Sequence, residues 1–106
     1  MTSNIGEYGQ ALRAAIGEDV STNTGLTFII EPQLGKRITR DETEGVSVGT
    51  SAVTVGDTVY KANEHLEYIV QDGDLDHSGK WRKQAKAATS TTVEKVGNFE
   101  QFTVLP

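Results

Sequence analysis

The sequence contains no cysteine. A disulfide framework, a thiolate metal site and a cysteine nucleophile are therefore excluded, and redox chemistry gives no indication of the compartment. Long apolar runs are also missing: no stretch reaches the roughly eighteen apolar residues of a membrane-spanning helix, and the opening MTSNIGEYGQ lacks the features of a secretory signal. We expect a protein that is made in a cytoplasm and stays soluble unless it is assembled into a larger structure.

Positive charge is scarce as well. Ten Lys and Arg residues stand against fifteen Asp and Glu residues, which gives a formal net charge of -5. Proteins that bind nucleic acid need a basic face, so neither nucleic acid nor a membrane is an expected partner. The chain of 106 residues, 36% of them hydrophobic, is expected to form a single folded domain, residues 1–106, with one modest core.

Apolar and polar residues alternate along most of the chain, and glycines interrupt the alternation every eight to twelve residues or so. This pattern predicts an all-β sandwich or barrel. The predicted strand faces are Leu26, Phe28 and Ile30; Val46 and Val48; Val53 and Val55; Leu66, Tyr68 and Val70; Trp81, Lys83, Ala85 and Ala87; and Phe102 with Val104.

Two segments have alternative interpretations. EYGQALRAAIGED fits a short helix or, through Leu12, Ala14 and Ile16, one face of a strand, and flanking glycines leave room for only about two helical turns, which favours the strand. Residues 1–9, which overlap the start of this segment, are a candidate extended N-terminal arm. The charged segment 34–45 is interpreted as an exposed hairpin or edge strand in preference to a binding patch.

The stretch QDGDLDHSGKW places Asp72, Asp74 and Asp76 at every second position, as in the start of a helix-loop-helix calcium loop. Such a loop needs a glycine at its sixth position and a glutamate at its twelfth. His77 and Lys83 stand at those positions, and the flanking segments are predicted strands. The three aspartates are therefore only weak candidates for metal ligands, and a structural turn is the favoured interpretation.

The same stretch offers residues for a turn and a core. Gly73 and Gly79 tolerate positive φ, and aspartates cap nearby backbone N–H groups. Leu75, the apolar residue among the aspartates, is expected to fold back and fill one end of the core. Trp81 is the expected central core aromatic, and Lys83, on the same strand face, is expected to extend its ammonium out at a sheet edge.

Catalysis has little support in the sequence. Only His65 and His77 have side chains suited to act as bases near neutral pH, and they fall at a strand start and in the turn. A nucleophile elbow, a phosphate-binding glycine loop and a paired-histidine motif are all missing. We expect neither enzymatic activity nor a cofactor.

The order LEYIVQDGDLDHSGKWRKQAKA, followed by FEQFTVLP, resembles the C-terminal half of the immunoglobulin-like module of tailed-bacteriophage virions, best known as the N-terminal domain of baseplate upper proteins. In that family a strand leads into a GDL turn, then a glycine, an aromatic that opens the next strand, and a closing strand. The matching positions are Leu66 and Tyr68; Gly73, Asp74 and Leu75; Gly79; Trp81; and Phe102 in the segment 99–104. The resemblance implies a small immunoglobulin-like β-sandwich.

Three functional classes follow as expectations. The first is a structural component of a tailed-phage particle that assembles in symmetric multiple copies on the tail, neck or baseplate and attaches other virion proteins such as fibres. The second is a decoration protein on the outside of the capsid. The third is an adhesion or carbohydrate-binding module whose aspartate turn holds calcium. The resemblance favours the first, with the virion as its location.

Overall fold

A computed structural model describes residues 2–88 and 94–106, so Met1, the first residue of the candidate arm, lies outside the described residues. The chain forms strands where apolar and β-branched residues alternate with polar ones. The strands are β1 (Thr2–Asn4), β2 (Ala11–Ala15), β3 (Gly25–Pro32), β4 (Ile38–Asp41), β5 (Val46–Val48), β6 (Val53–Val55), β7 (Thr58–Tyr60), β8 (His65–Ile69), β9 (Gly79–Ala88), β10 (Glu94–Val96) and β11 (Glu100–Leu105).

Two of the sheets form a sandwich. The larger has the order β1-β11-β9-β3-β4, with β10 also paired to β9, and the smaller has the order β2-β8-β5; β6 and β7 pair only with each other. Immunoglobulin domains place strands B, E and D in one sheet and G, F and C in the other, with C′ added beside C in the variable type. Strands β2, β3, β4, β5, β8, β9 and β11 take positions B, C, C′, D, E, F and G in that chain order. The fold is therefore the all-β, immunoglobulin-like sandwich that the sequence predicts.

The core lies between the two sheets. The alternating residues of β3 and β8 meet there, and the rings of Phe28 and Tyr68 lie 5.6 Å apart. Burying each such side chain contributes about 2 kcal/mol to folding. The buried cluster comprises Leu12, Ala14, Val20, Leu26, Phe28, Ile30, Val46, Leu66, Tyr68, Val70, Leu75, Trp81, Ala85, Ala87, Phe102 and Val104.

The N-terminal region is built from strands. The strand interpretation of residues 11–16 is confirmed over Ala11–Ala15, which pairs with β8 and buries Leu12 and Ala14. Within the segment expected to be an arm, Thr2–Asn4 pairs in parallel with β11, the one parallel pairing among the described strands. This part of the segment therefore extends the larger sheet by pairing with the free edge of β11.

The charged segment contains an edge strand, as predicted. Strand β4 has a single neighbour, β3, and is followed by one turn of 3-10 helix, Glu42–Glu44. The side chain of Asp41 accepts a hydrogen bond from the backbone N–H of Thr43 and caps this turn. No helix within residues 2–88 or 94–106 is long and apolar enough to cross a membrane.

Lys83 does not lie at a sheet edge. It belongs to β9, which is flanked by β3 and β11, and its side chain is only 3% exposed. The expectation that its ammonium extends into solvent is wrong, because alternation identifies a strand's faces but not the position of that strand within the sheet.

Candidate functional site

The aspartate turn sends its three carboxylates in different directions. Asp72 and Asp76 are exposed, whereas Asp74 is buried and accepts hydrogen bonds from the Arg40 guanidinium at 2.8 Å, from the backbone N–H of Gln71 at 3.0 Å and from the Tyr68 hydroxyl. Within the described part of the chain, no group of three or more His, Asp or Glu residues is arranged to hold a metal ion. The central carboxylate of the turn, Asp74, is therefore already bound by the Arg40 guanidinium.

Arg40 links this turn to β4, an edge strand of the larger sheet. Its Nε donates to the Tyr68 hydroxyl at 3.2 Å and its Nη1 pairs with Glu44 at 3.1 Å, while Nη2 reaches Asp74. Burial, reinforced by the hydrogen bond to Asp74, raises the pKa of Tyr68 to about 12. The hydrogen bond to Asp74 is also the main reason that the pKa of Arg40 lies above its ordinary value. This network fixes the turn that carries the family resemblance.

The remaining turn residues shape the end of the core. Gly73 and Gly79 have φ of +91° and +114°, a backbone region that residues other than glycine rarely adopt. Leu75 is fully buried in the core cluster. Trp81 is buried with its ring centroid 6.0 Å from that of Phe102, and its indole N–H donates to the carbonyl of His77 at 3.0 Å.

A second polar cluster lies inside the sandwich and was missed from the sequence. The Tyr60 hydroxyl donates to Glu100 at 2.6 Å, and the Lys83 ammonium lies 3.4 Å from that hydroxyl and 3.9 Å from the same carboxylate. Burial lowers the pKa of Lys83, with Glu100 opposing the shift, and burial together with the hydrogen bond to Glu100 raises the pKa of Tyr60. In the sequence, the one sign of this cluster is the position of Lys83 on an otherwise apolar strand face.

The two histidines occupy different places: His65 packs against Tyr60 with ring centroids 5.4 Å apart, and His77 lies in the aspartate turn. The ring of His65 is buried beside Gly49, with Nδ1 2.8 Å from the carbonyl of Lys61. His77 is exposed and contacts Asp76 at 2.6 Å. Neither histidine is paired with a serine or threonine nucleophile in the hydrogen bonds of the described residues, so the arrangement offers no general base aimed at one.

The outer face of the larger sheet carries a groove of about 350 Å³, which we call the basic groove. Its side chains come from the end of β3 and the beginnings of β9 and β11, toward the end of the sandwich that holds the aspartate turn. The groove is lined by Glu31, Pro32, Gln33, Lys80, Trp81, Arg82 and Gln101.

Two arginines beside the basic groove are fixed by one carboxylate. Glu31 accepts from Arg37 Nε at 2.7 Å and from Arg82 Nη2 at 2.6 Å, and these bonds lower the pKa of Glu31. The Arg82 guanidinium also lies 4.0 Å from the ring centroid of Phe99, which is 39% exposed. Both guanidiniums are thus held in place yet remain about half exposed.

Exposed apolar side chains also lie around the end of the sandwich that holds the aspartate turn, and we call Ile5, Tyr8, Leu34 and Leu105 the exposed apolar group. The Ile5 N–H donates to the carbonyl of Leu105 at 2.7 Å, the neighbouring Gly6 N–H donates to the carbonyl of Leu75 at 2.9 Å, and Leu34 lines a small cavity with His77. Apolar side chains such as these form the centre of an interface when a partner covers them. They come from three separate segments of the chain, so no local sequence pattern predicts that they lie at one end.

No protein-family model matches the sequence, and no curated protein matches it either.

Proposed function

We propose that this chain is a non-enzymatic structural component of a tailed-bacteriophage particle. In this role the sandwich assembles in several copies on the tail, neck or baseplate and attaches other virion proteins such as fibres. Its partners are proteins of the same particle, and its location is the virion. A ring of copies around a symmetric tail would use the same contact surface repeatedly.

The observation that carries the proposal is the construction of the aspartate turn. Gly73, Asp74 and Leu75 are the residues of the family resemblance, and each has a distinct structural part: a positive φ, a buried pair with Arg40, and a side chain in the core. The turn thus belongs to an immunoglobulin-like sandwich at the corner between strands E and F. A residue pattern that coincides with a specific built feature supports the resemblance better than a chance sequence match would.

The surface supports the assembly part of the proposal. The end that carries the turn also carries the exposed apolar group of Ile5, Tyr8, Leu34 and Leu105. Burying such side chains against a neighbour would supply the apolar centre of an interface. The edge strands β4 and β5 add unpaired backbone groups to which a partner strand can bind.

The calcium-dependent adhesion module is not proposed here, because the buried carboxylate of Asp74 is already paired with Arg40. Using Asp74 as a calcium ligand would require breaking that pair and burying the arginine without its main partner.

Chemical cross-linking of purified particles followed by mass spectrometry tests the proposal. Exposed lysines offer reactive amines at both ends of the sandwich: Lys36 and Lys80 near the aspartate turn and Lys61 near the other end. We expect cross-links to tail, neck or baseplate proteins. Cross-links only to the major shell protein would make the chain a capsid decoration protein, and failure to find the chain in purified particles would refute a role in the virion.

A further inference from the structure

Positive charge is concentrated on the outer face of the larger sheet although the chain is acidic. Strand β9 alternates, so the residues opposite Trp81 and Lys83 point outward: these are Lys80, Arg82 and Lys86. Arg37 joins them from the connection between β3 and β4. Four of the ten Lys and Arg residues thus lie on or beside one sheet face of a chain whose net charge is -5.

The cations around the basic groove exceed the local negative charge. Among the described residues, Glu31 is the one carboxylate that lines the groove, and it is shared between Arg37 and Arg82. Lys80 lines the groove, is exposed, and forms no ion pair within residues 2–88 and 94–106. The groove therefore keeps a positive field that a further carboxylate would neutralise.

Donor groups for such a carboxylate are already oriented. Arg37 uses only its Nε to bind Glu31, so its two terminal nitrogens make no hydrogen bond within the described residues. Glu31 and the Phe99 ring hold Arg82 in a defined orientation, which lowers the entropy lost when a ligand binds. Guanidinium forks match carboxylate geometry, and Arg is enriched among residues that dominate protein interfaces.

We propose that the basic groove binds an acidic, extended segment of a partner protein. The segment lies across the beginning of β9, with one carboxylate near Lys80 and another near Arg37 and Arg82, and an apolar side chain against Phe99. This inference deepens the proposed function and rests on it, because it names the surface through which a virion partner is attached.

A protein segment fits this surface better than a nucleic acid does. The groove and its rim combine the cations Lys80, Arg82 and Arg37 with the carboxylate of Glu31 and the half-exposed ring of Phe99. A nucleic acid backbone presents a charge at every nucleotide and is bound by a continuous basic surface, whereas the rest of this chain is acidic.

The first test measures binding of a short synthetic peptide in which glutamate alternates with valine, by titration calorimetry and by amide chemical shifts of the labelled protein. A peptide with glutamine in place of every glutamate is the ligand control. We expect only the acidic peptide to bind, more weakly at high salt, with the shifts concentrated at Gln33, Lys80, Arg82 and Gln101. Equal binding of the two peptides, shifts elsewhere, no binding of either, or tighter binding of a single-stranded oligonucleotide would overturn the proposal.

Two matched charge reversals distinguish binding in the groove from a general effect of the protein's net charge. Lys80→Glu changes the groove, and Lys61→Glu makes the same charge change at an exposed position near the other end of the sandwich. We expect Lys80→Glu to weaken acidic-peptide binding by about tenfold or more and Lys61→Glu to leave it nearly unchanged. Equal losses in the two variants would show a long-range charge effect and refute a site in the groove.

Incorporation into particles distinguishes this inference from the proposed function. If the wild-type chain is present in purified particles and Lys80→Glu is lost from them while Lys61→Glu is retained, both stand. If both variants are incorporated like the wild type, the groove is not the attachment surface, although the virion role holds. Absence of the wild-type chain would refute the virion role itself, and the peptide experiment would then decide the groove alone.

Discussion

The buried pair between Arg40 and Asp74 gives the sharpest prediction of the structural account. In Asp74→Ala the Arg40 guanidinium, the Tyr68 hydroxyl and the Gln71 N–H all lose the carboxylate that accepts from them. Breaking a buried ion pair by removing one partner costs about 3–5 kcal/mol. Arg40 keeps Glu44, and its side chain is 25% exposed, so water offsets part of the loss. We expect Asp74→Ala to lower the free energy of unfolding by about 2–4 kcal/mol.

Urea unfolding followed by tryptophan fluorescence measures this change, because Trp81 is the only tryptophan and is 2% exposed in the folded chain. Asp76→Ala is the matched control: the same substitution in the same turn removes an exposed carboxylate and is expected to change stability by less than about 0.5 kcal/mol. A loss below about 1 kcal/mol for Asp74→Ala, or equal losses for both variants, would refute the structural role assigned to Asp74.

Three further changes probe the other buried polar groups and one close backbone contact. Lys83→Met replaces a desolvated ammonium with an apolar side chain of similar length, while Glu100, which is 24% exposed, keeps the hydrogen bonds from the Tyr60 hydroxyl and the Ala15 N–H. Because the remaining carboxylate stays satisfied, we expect urea unfolding at pH 7 to show a gain of about 1 kcal/mol or more. Because the folded-state pKa of Lys83 is lowered, the unfolded chain binds more protons between that pKa and its ordinary value near 10.5. Wild-type stability should therefore gain from Lys83 as pH rises through that window, and the variant should lack this gain; a destabilised variant would contradict the reasoning. Tyr68→Phe leaves the donors and acceptors around the hydroxyl partly unsatisfied and should cost about 1–2 kcal/mol. Since the folded-state pKa of Tyr68 is raised to about 12, its stabilising contribution is present below about pH 10 and declines as pH rises toward 12. Unfolding curves at high pH should therefore show a smaller loss of stability with rising pH for the variant than for the wild type. Gly97→Ala would place a Cβ 1.9 Å from the carbonyl oxygen of Ala15, so we expect thermal unfolding to show a loss of more than about 2 kcal/mol in the free energy of unfolding. An unchanged midpoint temperature would contradict the close approach of the two backbone segments.

Much of the fold is accessible from the sequence because each half-buried strand leaves a local signal. Period-two alternation identified the segments of β3, β8 and β9 and their buried faces, and the polar turns separated them. The structure adds the order of strands in the sheets, which depends on pairings between distant residues. Lys83 shows the difference: alternation predicts which face of its strand it occupies, but not that this strand lies in the interior of the sheet.

The partners of the turn and of the groove cannot be predicted from the sequence for the same reason. Arg40 and Asp74 are 34 residues apart in the chain, and the carboxylate of Glu31 reaches Arg82 across 51 residues. Local sequence patterns do not record such pairs, so the sequence presents the three aspartates as weak metal-ligand candidates and does not show that an arginine holds Asp74. Similarly, segment 34–45 was interpreted as an exposed edge, and Arg37 acquires its binding potential only beside Arg82 and Phe99.

The central claim is that this small immunoglobulin-like sandwich is part of a phage particle. The most direct measurement is the copy number of the chain in purified particles, by quantitative mass spectrometry against the portal and the major shell protein. The account predicts a small multiple of the tail's rotational symmetry, on the order of six to a few dozen copies. Hundreds of copies would assign the chain to the capsid surface, and none would contradict the claim.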